Sequence, residues 1–187
     1  MTNKPTVTIL VGLPASGKST ARAQAVANGE AAESFQYSTD DWVDAKAEEL
    51  GVNYDDIWSD YIKEATTAMN EQVVAAIKQQ ENVLWDQTNM TRKKRRKILN
   101  RFPDNYQKTC LCILPPFTGE QEDEWRRRLA ARPGKQIPEF VLENMRDSFQ
   151  LPSTNEGFSH VFYFDIYGKL VEHNFAADLF GDGGGAG

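Results

Sequence analysis

The stretch "TVTILVGLPASGKST", residues 6 to 20, constrains this chain more than any other. Its first half is a β-branched apolar run that reads as a strand buried on both faces, and its second half satisfies G-x-x-x-x-G-K-[ST]. The alanine-rich spacing after it, "KSTARAQAVANG", predicts a helix ending at Gly29. A glycine loop between strand and helix lets successive amides converge on phosphate oxygens, and the helix adds the positive end of its dipole. The candidate nucleotide cradle is therefore Gly12, Ala15, Ser16, Gly17, Lys18, Ser19 and Thr20. Lys18 is expected to reach the β and γ phosphates of ATP, and the Ser19 hydroxyl to hold Mg²⁺. Kinases, switches and motors all use such a loop, so it does not name the phosphate acceptor.

Further strands are predicted in "SFQY", "NVLWD", "KTCLCIL" and "HVFYFDI", with helical spacing between them. Ile57, Tyr61, Ile62, Ala65, Met69, Val73 and Ile77 form one apolar stripe on a long helix. Strands alternating with helices indicate an α/β fold, here the three-layer fold of a P-loop NTPase or kinase around a mainly parallel sheet. Residues 1 to 180 are read as a single domain. Within it, 118 to 149 form a charged helical lid, which "RPGKQIP" breaks into two helices. "KLVEHN" predicts a short strand after a turn at Tyr167 and Gly168. The tail 181 to 187, "GDGGGAG", has too little side chain to pack and is expected to be disordered.

A net charge of −6 disfavours broad nonspecific binding to nucleic acid, which needs clustered cations. Two local patches run against that balance, "RKKRRK" at 92 to 97 and "WRRRLAARPGK" at 125 to 135. The first is either a solvated helix face or a device that steers a polyanion. No apolar run reaches membrane-span length and none reads as a secretory leader, so a cytoplasmic location is expected, the host cytoplasm if the chain is phage-encoded. Cys110 and Cys112 alternate onto one face of a strand and read as buried free thiols.

In a sheet of this kind ligands sit at the carboxyl ends of the strands. The segments "STDDW" and "WDQTN" both end strands there, which brings Asp40, Asp41 and Asp86 to the crevice. A kinase with an alcohol acceptor gains from a carboxylate that takes the hydroxyl proton, and Asp40 is the candidate base. Asp86 is the candidate to help order Mg²⁺. The competing reading is helix capping, for which Ser38, Thr39, Asp40 and Asp41 are all suitable. Arg128 and Arg132 lie four apart and share a face if their helix continues, where they either stabilise a transferring phosphoryl group or pair with the glutamates before them.

Taken in order, "GLPASGKST", "STDDW", "WDQTN" with its basic helix, "RRRLAARPGKQIP" and "FQLPSTNEGFSHVFYF" resemble the polynucleotide 5′-hydroxyl kinases, both the phage enzyme and the kinase domain of its animal counterpart. The resemblance spans most of the chain. It implies an ATP- and Mg²⁺-dependent kinase acting on a hydroxyl of DNA or RNA. It makes Asp40 the catalytic base, Lys18, Arg128 and Arg132 the phosphoryl-stabilising cations, Ser19 and Asp86 the metal-side residues, and Asp41 the helix cap. The chain departs from the pattern at Val43, where the phage kinase has an arginine that grips the acceptor phosphate, and at Thr39, where it has a basic residue. The hydroxymethyl group of a modified pyrimidine within phage DNA is therefore a second candidate acceptor. A small-molecule alcohol kinase and a non-catalytic nucleotide-binding module are further alternatives.

Overall fold

The computed structural model describes residues 4–27 and 34–181. In chain order the elements are β1 (Thr6–Val11), α1 (Lys18–Ala27), β2 (Phe35–Tyr37), α2 (Thr39–Leu50), α3 (Tyr54–Lys78), β3 (Val83–Asp86), α4 (Arg92–Leu99), β4 (Gln107–Ile113), α5 (Gly119–Ala130), α6 (Glu139–Asp147), β5 (His160–Phe164), β6 (Leu170–Val171) and α7 (His173–Phe180). The predicted helix end at Gly29 and the glycine-rich stretch after 181 lie outside the described residues.

The strands form one sheet in the order β2-β3-β1-β4-β5-β6, parallel throughout except for the β5–β6 pair. β1 is central, with Ile9 beside both Trp85 and Cys110. Burial on both faces from Ile9 to Val11 explains why its second half is continuously apolar. One face carries Val7, Ile9, Val11, Val83, Trp85, Cys110, Cys112 and Tyr163 into a core completed by Met69, Val73 and Ala76 of α3 and Ile98 and Leu99 of α4. Both thiols are free and buried, as the alternation predicts, and burial pushes their pKa values up, so neither is a ready nucleophile. The fold is that of a P-loop kinase: an α/β structure with a mostly parallel six-stranded sheet and seven helices among the described residues.

The long helix buries Ile57, Ala65, Met69 and Val73 as its stripe predicts, with Tyr61, Ile62 and Ile77 partly covered. Two expectations need correction. The strand predicted in "KLVEHN" is only Leu170–Val171, and His173 opens α7, for which the sequence pattern predicts no helix. That helix is stabilised by packing rather than by a strong local signal: Ala176 is fully buried, and the Phe180 ring meets Phe149 edge-on at 5.3 Å. The basic helix α4 is not uniformly solvated either, because Arg95 lies in line with Ile98 and Leu99 and is fully buried. Its guanidinium grips both oxygens of Glu156 at 2.8 and 2.6 Å and donates to the carbonyls of Asn89 and Met90, each at 3.0 Å. The fork thereby ties α4 and the "TNEG" turn to the segment leaving β3.

Candidate active site

The phosphate loop leaves the carboxyl end of β1 and is fixed from the side by the Gly12 amide, which donates to the Thr88 carbonyl at 3.0 Å. Gly17 adopts φ 111, a conformation that side chains disfavour, and a Cβ on Gly12 would meet Ser16 Oγ at 2.7 Å. Both positions therefore require glycine. Ala15 is held at φ 59, a left-handed conformation a non-glycine residue adopts at a cost of roughly 1 kcal/mol or more. Ser16 Oγ is buried without a protein hydrogen-bond partner. Lys18 folds back across the loop, and its ammonium donates to the carbonyls of Gly12 and Leu13 at 2.9 and 2.7 Å. Burial pushes its pKa down to about 8, against the opposing pull of Asp86 and Asp40.

Asp86 ends β3 beside this lysine, with burial raising its pKa and Lys18 and Arg22 opposing that shift. Arg22 of α1 reaches Asp86 at 3.6 Å and pairs closely with Asp41. The cap of α2 is Ser38, whose hydroxyl accepts from the Asp41 amide at 3.1 Å. Asp41 is thus not the cap that the resemblance implies; it sits inside the first turn, where its charge suits the helix dipole and is shared with Arg22. Asp40 is exposed, so its carboxylate is not spent on capping, and it accepts a hydrogen bond from the Tyr54 hydroxyl at 2.9 Å. Gln87 donates to Thr39 Oγ1 at 3.1 Å and binds the end of β3 to the start of α2. Three strand ends thus converge, as the sequence predicts.

Tyr54 is a site residue that sequence reasoning misses. A signal for it exists, since it precedes Ile57 and Tyr61 in the same helical phase and so lies toward α2. Its partner Asp40 belongs to another helix, which local pattern does not reveal. Burial, then the Asp40 charge, raises the Tyr54 pKa, so the phenol remains a donor.

The charged segment of α5 and α6 is anchored by Trp125, which is buried and donates from its indole to the Pro14 carbonyl at 2.7 Å. The guanidinium groups of Arg126 and Arg146 each stack 4.9 Å from its ring. Arg128 donates to the Ile166 carbonyl and to Glu124, both at 2.7 Å, and lies against Gly17 of the phosphate loop. Arg132 does not share a helix face with it. The helix ends at Ala130, because the residue before Pro133 is pushed out of helical conformation. Arg132 instead follows the helix end, and its charge acts on both Lys18 and Tyr54. The turn after it docks on α3: Asp55 receives the Gln136 amide at 2.7 Å, and its own amide donates to Gly134 at 3.1 Å. Lys135 pairs with Asp44 and lies 4.2 Å above the Tyr54 ring.

Mg²⁺ in a phosphate loop needs only one or two protein oxygens, because nucleotide phosphates and waters complete its shell. The unpartnered Ser16 hydroxyl and the curled loop fit a phosphate group, and Ser19 at the first turn of α1, with Asp86 across from Lys18, fits the metal. Among the described residues no group of three or more His, Cys, Asp or Glu forms a metal cage of its own. No helix among them is long and apolar enough to cross a membrane.

A family model described as an AAA domain matches residues 7–152. Among solved structures, the chain is similar to one from the PezAT chromosomal toxin-antitoxin system of Streptococcus pneumoniae, at 15% identity and TM-score 0.60 over 96% of this chain and 80% of that one. It is also similar to a chain of the Pnkp1/Rnl/Hen1 RNA repair complex, at 22% identity and TM-score 0.60, covering 91% of this chain but only 49% of that one. A fungal RNA kinase matches at 13% identity and TM-score 0.50, over 94% of this chain and 79% of that one. At these identities the likeness is one of fold.

Proposed function

The chain belongs to the AAA domain family, and we propose that it is an ATP-dependent kinase that transfers the γ-phosphate to a hydroxyl on nucleic acid, most simply the 5′-hydroxyl of DNA or RNA. The observation that carries this reading is the placement of Asp40. Its carboxylate is exposed, uninvolved in capping, and in the same crevice as Lys18 and Arg132. A nucleotide switch has no need of an acceptor-side carboxylate beside its phosphate lysine. An RNA repair chain and an RNA kinase among the similar structures support the choice of acceptor.

In the proposed reaction the acceptor oxygen attacks the γ-phosphorus in line with the bond to ADP. The new O–P bond forms as the bond to the β,γ-bridging oxygen breaks, and the hydroxyl proton passes to Asp40. Tyr54 holds one Asp40 oxygen, leaving the other for the acceptor. Lys18 leaves its loop carbonyls for the β and γ phosphates, and Arg128 and Arg132 carry positive charge toward the transferring group from the lid. Mg²⁺, when held by Ser19 and Asp86, supplies neutralisation of charge on the phosphate oxygens.

A second acceptor, a hydroxymethylpyrimidine within DNA, is favoured by one observation: Val43 is fully buried, so the position after Asp41 and Trp42 offers no cation to a terminal nucleotide. Transfer of labelled γ-phosphate from ATP to 5′-hydroxyl DNA and RNA, DNA with internal hydroxymethylpyrimidines, nucleosides and small alcohols separates these readings. Label at 5′ ends supports the first, and label on internal bases alone replaces it with the second. Label on small alcohols alone, or no transfer, overturns both.

A further inference from the structure

Apart from Lys18 and Arg132, the cations around the crevice fall into two groups. Most are spent on carboxylates: Arg22 on Asp41 and Asp86, Lys135 on Asp44, Arg126 and Arg146 on Glu122, Arg128 on Glu124, and Arg95 on Glu156. Lys93, Lys94, Arg96 and Lys97 of α4 are different. All four are exposed, Lys93 and Lys97 opposite Arg95 and Lys94 and Arg96 on its two flanks, and among the described residues none has a carboxylate within ion-pair distance. The helix contains no acid of its own. A solvated helix face more often interleaves both signs, so an unneutralised run in a chain of net charge −6 calls for a physical reason.

Its location supplies one. α4 begins where the segment leaving β3 ends, its Thr91 cap accepts from the Lys94 amide at 3.2 Å, and the buried Arg95 fork pins it there. Lys94 therefore stands in the first turn of the helix, next to the end of β3, where partial burial pushes its pKa down and the Asp40 charge opposes that shift. Lys97 follows one turn further away on the same side. Val43 is buried and uncharged, and Arg22 is already paired with Asp41 and Asp86.

Building on the nucleic-acid reading of the site, we propose that the exposed face of α4, entered at Lys94, is the surface along which the phosphates of the acceptor strand lie as its hydroxyl reaches Asp40. Residues 93 to 97 rise about 6 Å along the axis, the rise of roughly two stacked nucleotides, so the face is expected to neutralise two phosphates.

The test is kinase activity with a 5′-hydroxyl oligonucleotide across a salt series, together with fluorescence anisotropy of the same labelled strand in the presence of a non-hydrolysable ATP analogue. Lys94→Glu and the double variant Lys93→Ala/Lys97→Ala should each raise KM and the strand Kd by tenfold or more, and each should flatten the salt slope by about one for every phosphate no longer neutralised. Lys78→Ala, at the far end of α3, is the control and should change neither. Transfer by the wild type with α4 variants of unchanged KM and salt slope overturns this surface and leaves the kinase reading standing. Binding that depends on Lys94 without any transfer supports the surface and sinks the kinase reading. A wild type that does not bind the strand overturns the surface outright.

Discussion

The Tyr54 hydroxyl donates to Asp40 Oδ1 at 2.9 Å, joining the first turn of α3 to the first turn of α2 across the mouth of the crevice. The bond fixes the direction of a carboxylate on an otherwise exposed residue. Tyr54→Phe removes the bond and keeps the ring under Lys135, so kcat is expected to fall about tenfold with little change in KM for ATP. Steady-state kinetics on the two variants Tyr54→Phe and Asp40→Asn checks this, since Asp40→Asn should lose about 10²-fold or more.

Ser38 and Asp40 are near neighbours in the chain and do different jobs. Ser38→Ala removes the cap of α2 and should cost about 1 kcal/mol of stability. Asp40→Asn leaves the cap bond to the Asp41 amide intact and should cost less, about 0.5 kcal/mol for the lost first-turn charge. Equal destabilisation in urea titrations would show that Asp40 supports the helix after all.

Lys18 makes ATP binding sensitive to pH. Its pKa is about 8 in the folded chain against an ordinary 10.5, so between those values the unfolded chain holds the additional proton and ligand-free stability rises with pH. Phosphate binding requires the ammonium, so the complex must recover that proton. Affinity for ATP is expected to fall as pH rises above about 8, approaching tenfold per unit. Titration calorimetry at a pH just above that value, in buffers of different ionisation enthalpy, should register proton uptake, and Lys18→Met should abolish it.

The Arg95 and Glu156 pair is a structural commitment rather than a catalytic one. Glu156→Ala strands a fully buried guanidinium, which typically costs about 3–5 kcal/mol. For a chain of this length that amounts to a fall of roughly 10 °C in Tm. Calorimetry of Glu156→Ala against Arg92→Ala, whose contact with Glu156 is a long 3.8 Å, separates the buried bond from the outer one.

Local signals make much of the candidate site readable. The loop motif, the strand ends carrying Asp40 and Asp86, and the proline-glycine break between α5 and α6 each depend on residues adjacent in the chain. What escapes depends on packing between elements. Arg95 is one of six consecutive basic residues, and only its phase with Ile98 and Leu99 marks it for the interior. Spacing alone puts Arg132 on a continuing helix, although Pro133 forbids it. Helix α7 lacks a strong cap and owes its existence to the core it covers.

The strand order has a bearing on how such a chain comes to life. β1 precedes the other described strands, yet its two neighbours, β3 and β4, arrive only after α1, α2 and α3 have been made. During synthesis the stretch "TVTILV" is an apolar strand with neither partner yet present. The loop after it has only its own Lys18 contacts until Thr88 exists to receive the Gly12 amide from the side. The candidate nucleotide cradle, written ahead of the strands that flank it, is thus among the later parts to take shape.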